Sequence, residues 1–184
     1  MKCFQTEFDG LVVIETFYSS DTRGSFTKTY HSGVFHEQGI HPEFHEFFAS
    51  RSGPNTLRGM HFQLPPFHHD KLVFVLKGSI TDVVLDLRKD YKTYGSFFEI
   101  ALSESNRTAL FIPAGMAHGF LSLEPETLVC YLTTSVHSPA YDTGILWNSF
   151  GYSWDVLEPI ISDRDQRFLP FAEFESPFRK EGCQ

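Results

Sequence analysis

Lys71-Leu72-Val73-Phe74-Val75-Leu76, then Lys77-Gly78, then Ser79-Ile80-Thr81-Asp82-Val83-Val84-Leu85-Asp86-Leu87: the reading of this stretch decides the fold. Both halves are strand-length runs of mostly apolar residues, which suit a pleated, buried surface. The glycine between them supplies a turn, so Lys77-Gly78 predicts a tight hairpin and antiparallel strands. Lys71 stands out at the head of the first run, because a lysine pointing inward needs a partner or a job. Asp82, on the far side of the expected hairpin, is placed to be that partner.

The same pattern continues outward. Residues 11–17 read as a strand ended by Ser19-Ser20-Asp21, residues 25–30 alternate, and residues 31–39 are the best short helix. Residues 44–49, 95–102, 108–112, 119–123 and 128–134 are each strand-length, with Ser103-Glu104-Ser105-Asn106 as a polar turn. Many short strands at this spacing indicate an all-β chain, an antiparallel sandwich or small barrel with few short helices, rather than alternating βα units. Residues 1–184 are expected to form a single domain, with an irregular tail after about residue 166 marked by Pro170 and Pro177.

Composition narrows the partners. A net charge of −8 argues against a nucleic-acid polymer or an anionic membrane, while a few local arginines can still hold a small diphosphate. The 20 Phe, 7 Tyr and 2 Trp favour strands. Cys3, Cys130 and Cys183 are too few and too scattered for a disulfide framework or a zinc pattern. Neither an apolar signal-peptide core nor a membrane-length apolar run is visible, so a cytoplasmic setting is the expectation.

The chemistry-bearing segments come in order along the chain. Leu57-Arg58-Gly59-Met60-His61-Phe62-Gln63 is followed by Lys71. Then come Ile112-Pro113-Ala114-Gly115-Met116-Ala117-His118-Gly119-Phe120, Tyr131 within Leu128-Val129-Cys130-Tyr131-Leu132, and Ser162-Asp163-Arg164-Asp165. A histidine, a lysine, a tyrosine and a carboxylate on or beside strands are the parts needed to move a proton next to a carbonyl. Taken singly, each has a plainer reading: a packed histidine, a snorkelling lysine, a core tyrosine, a solvated turn aspartate. The nine histidines also raise a metal site. The spacing argues against one, since no His-x-His pair with a following glutamate occurs and His68-His69 point oppositely if extended.

Together these segments resemble the nucleotide-sugar 3,5-epimerases, the dTDP-4-dehydrorhamnose 3,5-epimerase family of the cupin fold, from about residue 11 to 165. The resemblance implies a cupin jelly-roll that epimerises a nucleotide-diphosphate-linked 4-keto-6-deoxy sugar at C3, C5 or both, as in the dTDP-rhamnose pathway, without a cofactor or metal. It implies His61 as base, Asp165 in preference to Asp163 as its partner, Lys71 as the oxyanion partner, and Tyr131 as the acid on the opposite face. Arg23 and Arg58 are the implied diphosphate contacts, His118 a further pocket residue, and a homodimer the implied assembly, with N-terminal strands lent to a neighbour. A 3,4-ketoisomerase and a non-catalytic sugar-binding cupin are the rival expectations.

The chain also departs from the family. Phe44-His45-Glu46-Phe47-Phe48-Ala49-Ser50 stands where a Gln and an Asn read the nucleotide, and Ser25-Phe26-Thr27-Lys28 where an aromatic run ends in Glu. Val136-His137 replaces paired tyrosines, and Leu132 replaces a common lysine beside the acid. Catalytic letters are kept and nucleotide-reading letters altered, so Lys28 and Glu46 are expected to read a changed nucleotide or sugar.

Overall fold

The computed structural model describes residues 1–180, almost all of its regular structure in strands. These are β1 (Lys2–Gln5), β2 (Val12–Glu15), β3 (Phe17–Asp21), β4 (Gly24–Lys28), β5 (Glu46–Ser52), β6 (Leu57–Gln63) and β7 (Lys71–Lys77). They continue with β8 (Ser79–Asp86), β9 (Phe97–Ser103), β10 (Thr108–Ile112), β11 (Met116–Ser122), β12 (Thr127–Thr133) and β13 (Asp142–Gly144). One short helix, α1 (Ser32–Glu37), lies where alternation gave way, with Phe35 as its buried anchor.

Two antiparallel sheets face each other as a jelly roll. One has the order β1-β2-β10-β7-β12-β5, the other β13-β6-β11-β8-β9, and β3-β4 form a separate two-stranded ribbon. Alternate residues of each strand point inward. Val73, Val75, Val129 and Leu110 of one sheet therefore meet Ile80, Val84, Phe120 and Met116 of the other in a shared core. The outer face of the five-stranded sheet is covered by the C-terminal segment through Phe150, Trp154 and Phe178. Phe35 and Ile40 cover the outer face of the other sheet.

The expected hairpin at Lys77-Gly78 does not form. β7 pairs with β10 and β12, whereas β8 pairs with β11 and β9, so the turn carries the chain from one sheet to the other. Gly78 suits a crossing that sharp: its φ is +78°, and a Cβ there would run into Thr127. Two further expectations change. Ser19-Ser20-Asp21 does not end a strand but belongs to β3, because the break falls at Thr16, whose hydroxyl bonds the Arg107 carbonyl. The tail after Asp165 is irregular as expected yet not loose, since Phe178 and Ser176 are buried and Ser176 donates to the Leu87 carbonyl. Cys183 and the end of the tail lie outside the described residues.

Candidate active site

Between the two sheets opens a cavity of about 320 Å³, within the range of small-ligand sites. The six-stranded sheet lines it with alternate residues: Glu46, Phe48 and Ser50 of β5, Lys71 of β7, Tyr131 and Thr133 of β12. The facing sheet contributes Arg58, His61 and Gln63 of β6, His118 of β11 and Asp142 of β13.

Strand alternation alone would put Arg58 and His61, three residues apart, on opposite faces. They share the cavity because β6 bulges. His61 pairs with His118 and Arg58 with Phe120, so three steps on β6 oppose two on β11. Gly59 makes the bulge feasible. Its φ is +152°, and a Cβ would stand 2.6 Å from the Gly119 Cα.

His61 Nε2 lies 2.8 Å from Asp165 Oδ2. Asp165 comes from the short turn Asp165–Arg167 and is buried against β6, where the Gly59 N–H also donates to it. Burial alone would raise the Asp165 carboxyl, but the bonds and charge of its neighbours, His61 foremost, reverse this and hold it at about 2. Burial pulls His61 below its ordinary value, Asp165 opposes this, and the Lys71 and Arg164 charges add to it. With Nε2 facing Asp165, Nδ1 is the ring nitrogen without a hydrogen-bond partner among the described residues.

Lys71 Nζ donates to the His61 carbonyl at 2.9 Å, and burial lowers the ammonium to about 8. Asp82 is not its partner. Because β8 sits in the other sheet, Asp82 instead meets His118 Nε2 at 2.7 Å, both side chains buried. The His118 ring in turn packs edge-on against Tyr131, centroids 6.1 Å apart. Tyr131 is 7% exposed, and burial pushes its phenol well above the usual range. Ser50 lies within 3.5 Å of its hydroxyl, and Phe48 stacks on its ring at 4.6 Å and 13°.

Of the residues singled out from sequence, His61, Lys71, Tyr131, His118, Arg58 and Glu46 line this one cavity and Asp165 stands behind His61. Glu46 accepts from the His137 N–H at 2.6 Å, and Arg58 Nε donates to Ser52. Arg23 and Lys28 do not join them. Both sit on the exposed β3-β4 ribbon, Arg23 paired with Asp21 and Lys28 over the Phe17 ring. Sequence reasoning missed Arg164, Asp142 and His69. Arg164 stood in the quoted Ser162–Asp165 run, but adjacency to a catalytic candidate is no signal of where a side chain reaches. His69 is deeply desolvated, which lowers it to about 3, and it accepts from Gln63. Among the described residues, no three His, Cys, Asp or Glu side chains converge as a metal-ligand set. No helix there is long and apolar enough to cross a membrane.

The jelly roll thus sets His61 of one sheet, backed by Asp165 from the C-terminal turn, against a lysine and a tyrosine of the other, a set suited to the proton transfers of a sugar epimerase. Comparison narrows this: residues 5–173 match the dTDP-4-dehydrorhamnose 3,5-epimerase family, and the chain belongs to it. It is an isomerase, a carbohydrate epimerase. The dTDP-4-dehydrorhamnose 3,5-epimerase of Methanothermobacter thermautotrophicus is 40% identical over 94% of this chain and 95% of its own. The crystal structure of the Bacillus anthracis enzyme with TDP and pyrophosphate bound superposes with a TM-score of 0.88 at 37% identity, covering 91% of this chain and 97% of that one. A 4-keto-6-deoxy sugar epimerase from the novobiocin cluster of Streptomyces spheroides gives 0.89 at 31% identity, covering 94% and 88%.

Proposed function

We propose that the enzyme inverts C3 and C5 of a dTDP-linked 4-keto-6-deoxy sugar by successive proton abstraction and return. The observation that carries this is the placement of His61 and Tyr131 on opposite walls of one cavity. Epimerisation needs a base on one side of the sugar ring and an acid on the other; a wall-to-wall pair supplies both without moving the substrate. His61, oriented by Asp165, takes the proton alpha to the ketone. The enolate oxygen that develops at C4 is stabilised by the Lys71 ammonium, whose charge acts strongly in a dry site. Tyr131, kept protonated by burial, returns a proton from the far side. His118, held by Asp82, packs the Tyr131 ring in place.

Arg58 is the diphosphate contact within the chain. Arg23 reaches a diphosphate only if the β3-β4 ribbon docks on a second copy, and the ribbon has reason to. Every residue of both strands is exposed, including Phe17, Tyr18 and Phe26, an apolar surface that a two-stranded ribbon cannot hide by itself. A homodimer in which each ribbon completes the neighbour's site follows.

A second reading concerns the nucleotide. Glu46 and Phe48 face the cavity on the segment where the family resemblance implies nucleotide-reading amides, and Phe48 stacks on Tyr131. These contacts favour a base other than thymine or a narrower sugar site. Incubation with dTDP-, CDP-, UDP- and GDP-linked 4-keto-6-deoxy sugars in D₂O, followed by NMR, tests both readings. Deuterium at C3 and C5 of inverted product from the dTDP sugar is the expected result. Faster turnover of another nucleotide would favour the second reading, and migration of the carbonyl to C3 would make the enzyme a ketoisomerase.

A further inference from the structure

Arg164 turns two of its three guanidinium nitrogens to the His61–Asp165 pair and the third to Asp142. Its Nε donates to Asp165 Oδ1 at 3.1 Å, its Nη1 to Asp142 Oδ2 at 2.6 Å, and its Nη2 stands 2.9 Å from His61 Nε2. Its Cζ also lies 5.4 Å from the centre of the Phe168 ring, which packs T-shaped with His61. Asp165 and Arg164 thus converge on one ring nitrogen, which has room for one proton or one lone pair but not both. If Nε2 carries the proton, it donates to Asp165 and Arg164 opposes further positive charge. If Nε2 is bare, Arg164 donates to it and the proton lies on Nδ1. The imidazolium, protonated on both nitrogens, is penalised by Arg164 in either case.

We propose that Arg164 is a positioning residue for the base, holding Asp165 by the oxygen that His61 does not use while its charge keeps the imidazole ready to accept a proton. A His–Asp pair left to itself favours the imidazolium, which cannot act as a base. The charged and titratable groups around His61 come from every neighbouring element. Asp165 and Arg164 lie on the C-terminal turn, Lys71 on β7, His118 opposite on β11 and Asp142 on β13. Burial and the two nearby cations shift His61 toward the neutral form against the pull of Asp165. Asp142 anchors the guanidinium from the side, so the arginine is fixed rather than free to swing.

This inference rests on His61 being the base, and the test separates the two. R164Q and R164K are compared with the wild type by the pH dependence of kcat/KM for deuterium wash-in and by NMR titration of His61 itself. R164Q is expected to lose rate selectively on the acid side, the ratio of rates at about pH 6 and about pH 8 falling several-fold, and to move the His61 midpoint upward. R164K, which keeps the charge, restores most of the acid-side rate. Equal loss at every pH with an unmoved His61 midpoint, or a rise in KM alone, would overturn the proposal. A moved midpoint with an unmoved acid limb supports the action of Arg164 on His61 and removes His61 as the base instead. Should R164Q not fold, R164M is put through the same two measurements, and an unmoved acid limb together with an unmoved His61 midpoint would overturn the proposal.

Discussion

The cavity between the sheets and the β3-β4 ribbon are built on opposite terms. In the cavity, Lys71, Asp82, His118 and Asp165 are all buried and each has a bonded partner within the chain. On the ribbon, every residue is exposed, and among the described residues Arg23 bonds Asp21 alone, two residues away. Proton chemistry needs groups fixed to fractions of an ångström in a dry site, which a packed sheet provides. Holding a diphosphate needs charge and reach, which a projecting ribbon can lend to a neighbour.

The sharpest way to break this comparison is at the base. H61A is expected to lose deuterium exchange at both carbons by several orders of magnitude while nucleoside-diphosphate affinity changes little, read by NMR and calorimetry. Near-normal exchange would place the base elsewhere and leave the cavity a binding site.

K71M comes next, with an expected loss of about 10²–10³ in exchange rate, the range for an oxyanion donor. The same variant should be more stable. Burial lowers the Lys71 ammonium from 10.5 to about 8, a native-state penalty of roughly 3 kcal/mol. Loss of the bond to the His61 carbonyl offsets about 1 kcal/mol of the relief, leaving a gain of roughly 2 kcal/mol in denaturant titrations near neutral pH. The sign follows from the protons bound: between about 8 and 10.5 the unfolded chain holds more than the native one. The penalty is therefore complete below that window, and the wild type should catch up with K71M as pH rises through it.

Y131F is milder and more specific. Exchange should persist at a reduced rate while inversion is largely lost, so substrate returns deuterated but uninverted. Equal loss of both would make the ring a structural element only.

The ribbon is tested by complementation. R23A should weaken diphosphate binding by about tenfold or more. When R23A and H61A chains are mixed and allowed to re-associate, heterodimers carrying the intact ribbon over the intact cavity should regain the wild-type KM, raising the rate at low substrate above that of either variant alone. Failure to regain it, with dimers present by sedimentation, would show that Arg23 does not act on a neighbour. The smallest expected effect is K28E, which should alter the ratio of dTDP to other nucleoside-diphosphate affinities without touching exchange at saturation. An unchanged ratio would take Lys28 out of nucleotide reading.

Legibility from sequence follows the same divide. Most strands were readable, because alternation and turn residues act locally: residues 108–112 coincide with β10, and residues 71–76 and 79–87 lie within a residue of β7 and β8. Strands with weaker local patterns, such as β1 and β13, were not. Each is an edge strand held by a single partner, β1 by the next strand β2 and β13 by the distant β6. Among site residues, the resemblance located His61, Lys71, Tyr131, His118 and Asp165 at one cavity, but the partner assigned to Lys71 was wrong. Asp82 and Lys71 are close in sequence and on strands joined by one turn, yet that turn changes sheets.

The sequence by itself determined the kinds of element and the kinds of chemistry: apolar runs of strand length, glycines where the chain must turn, and a set of proton-handling side chains in family order. These are properties of neighbouring residues, and short-range sterics and burial suffice to express them. Only the tertiary structure decided which strands face each other, and hence that His61 looks across the cavity at Tyr131 rather than along one sheet. It also decided the bulge at Gly59 that turns Arg58 and His61 to the same side, and the approach of Arg164 to His61 from a hundred residues further on. Side-chain direction in a sheet has a period of two residues, so one extra residue reverses every assignment beyond it.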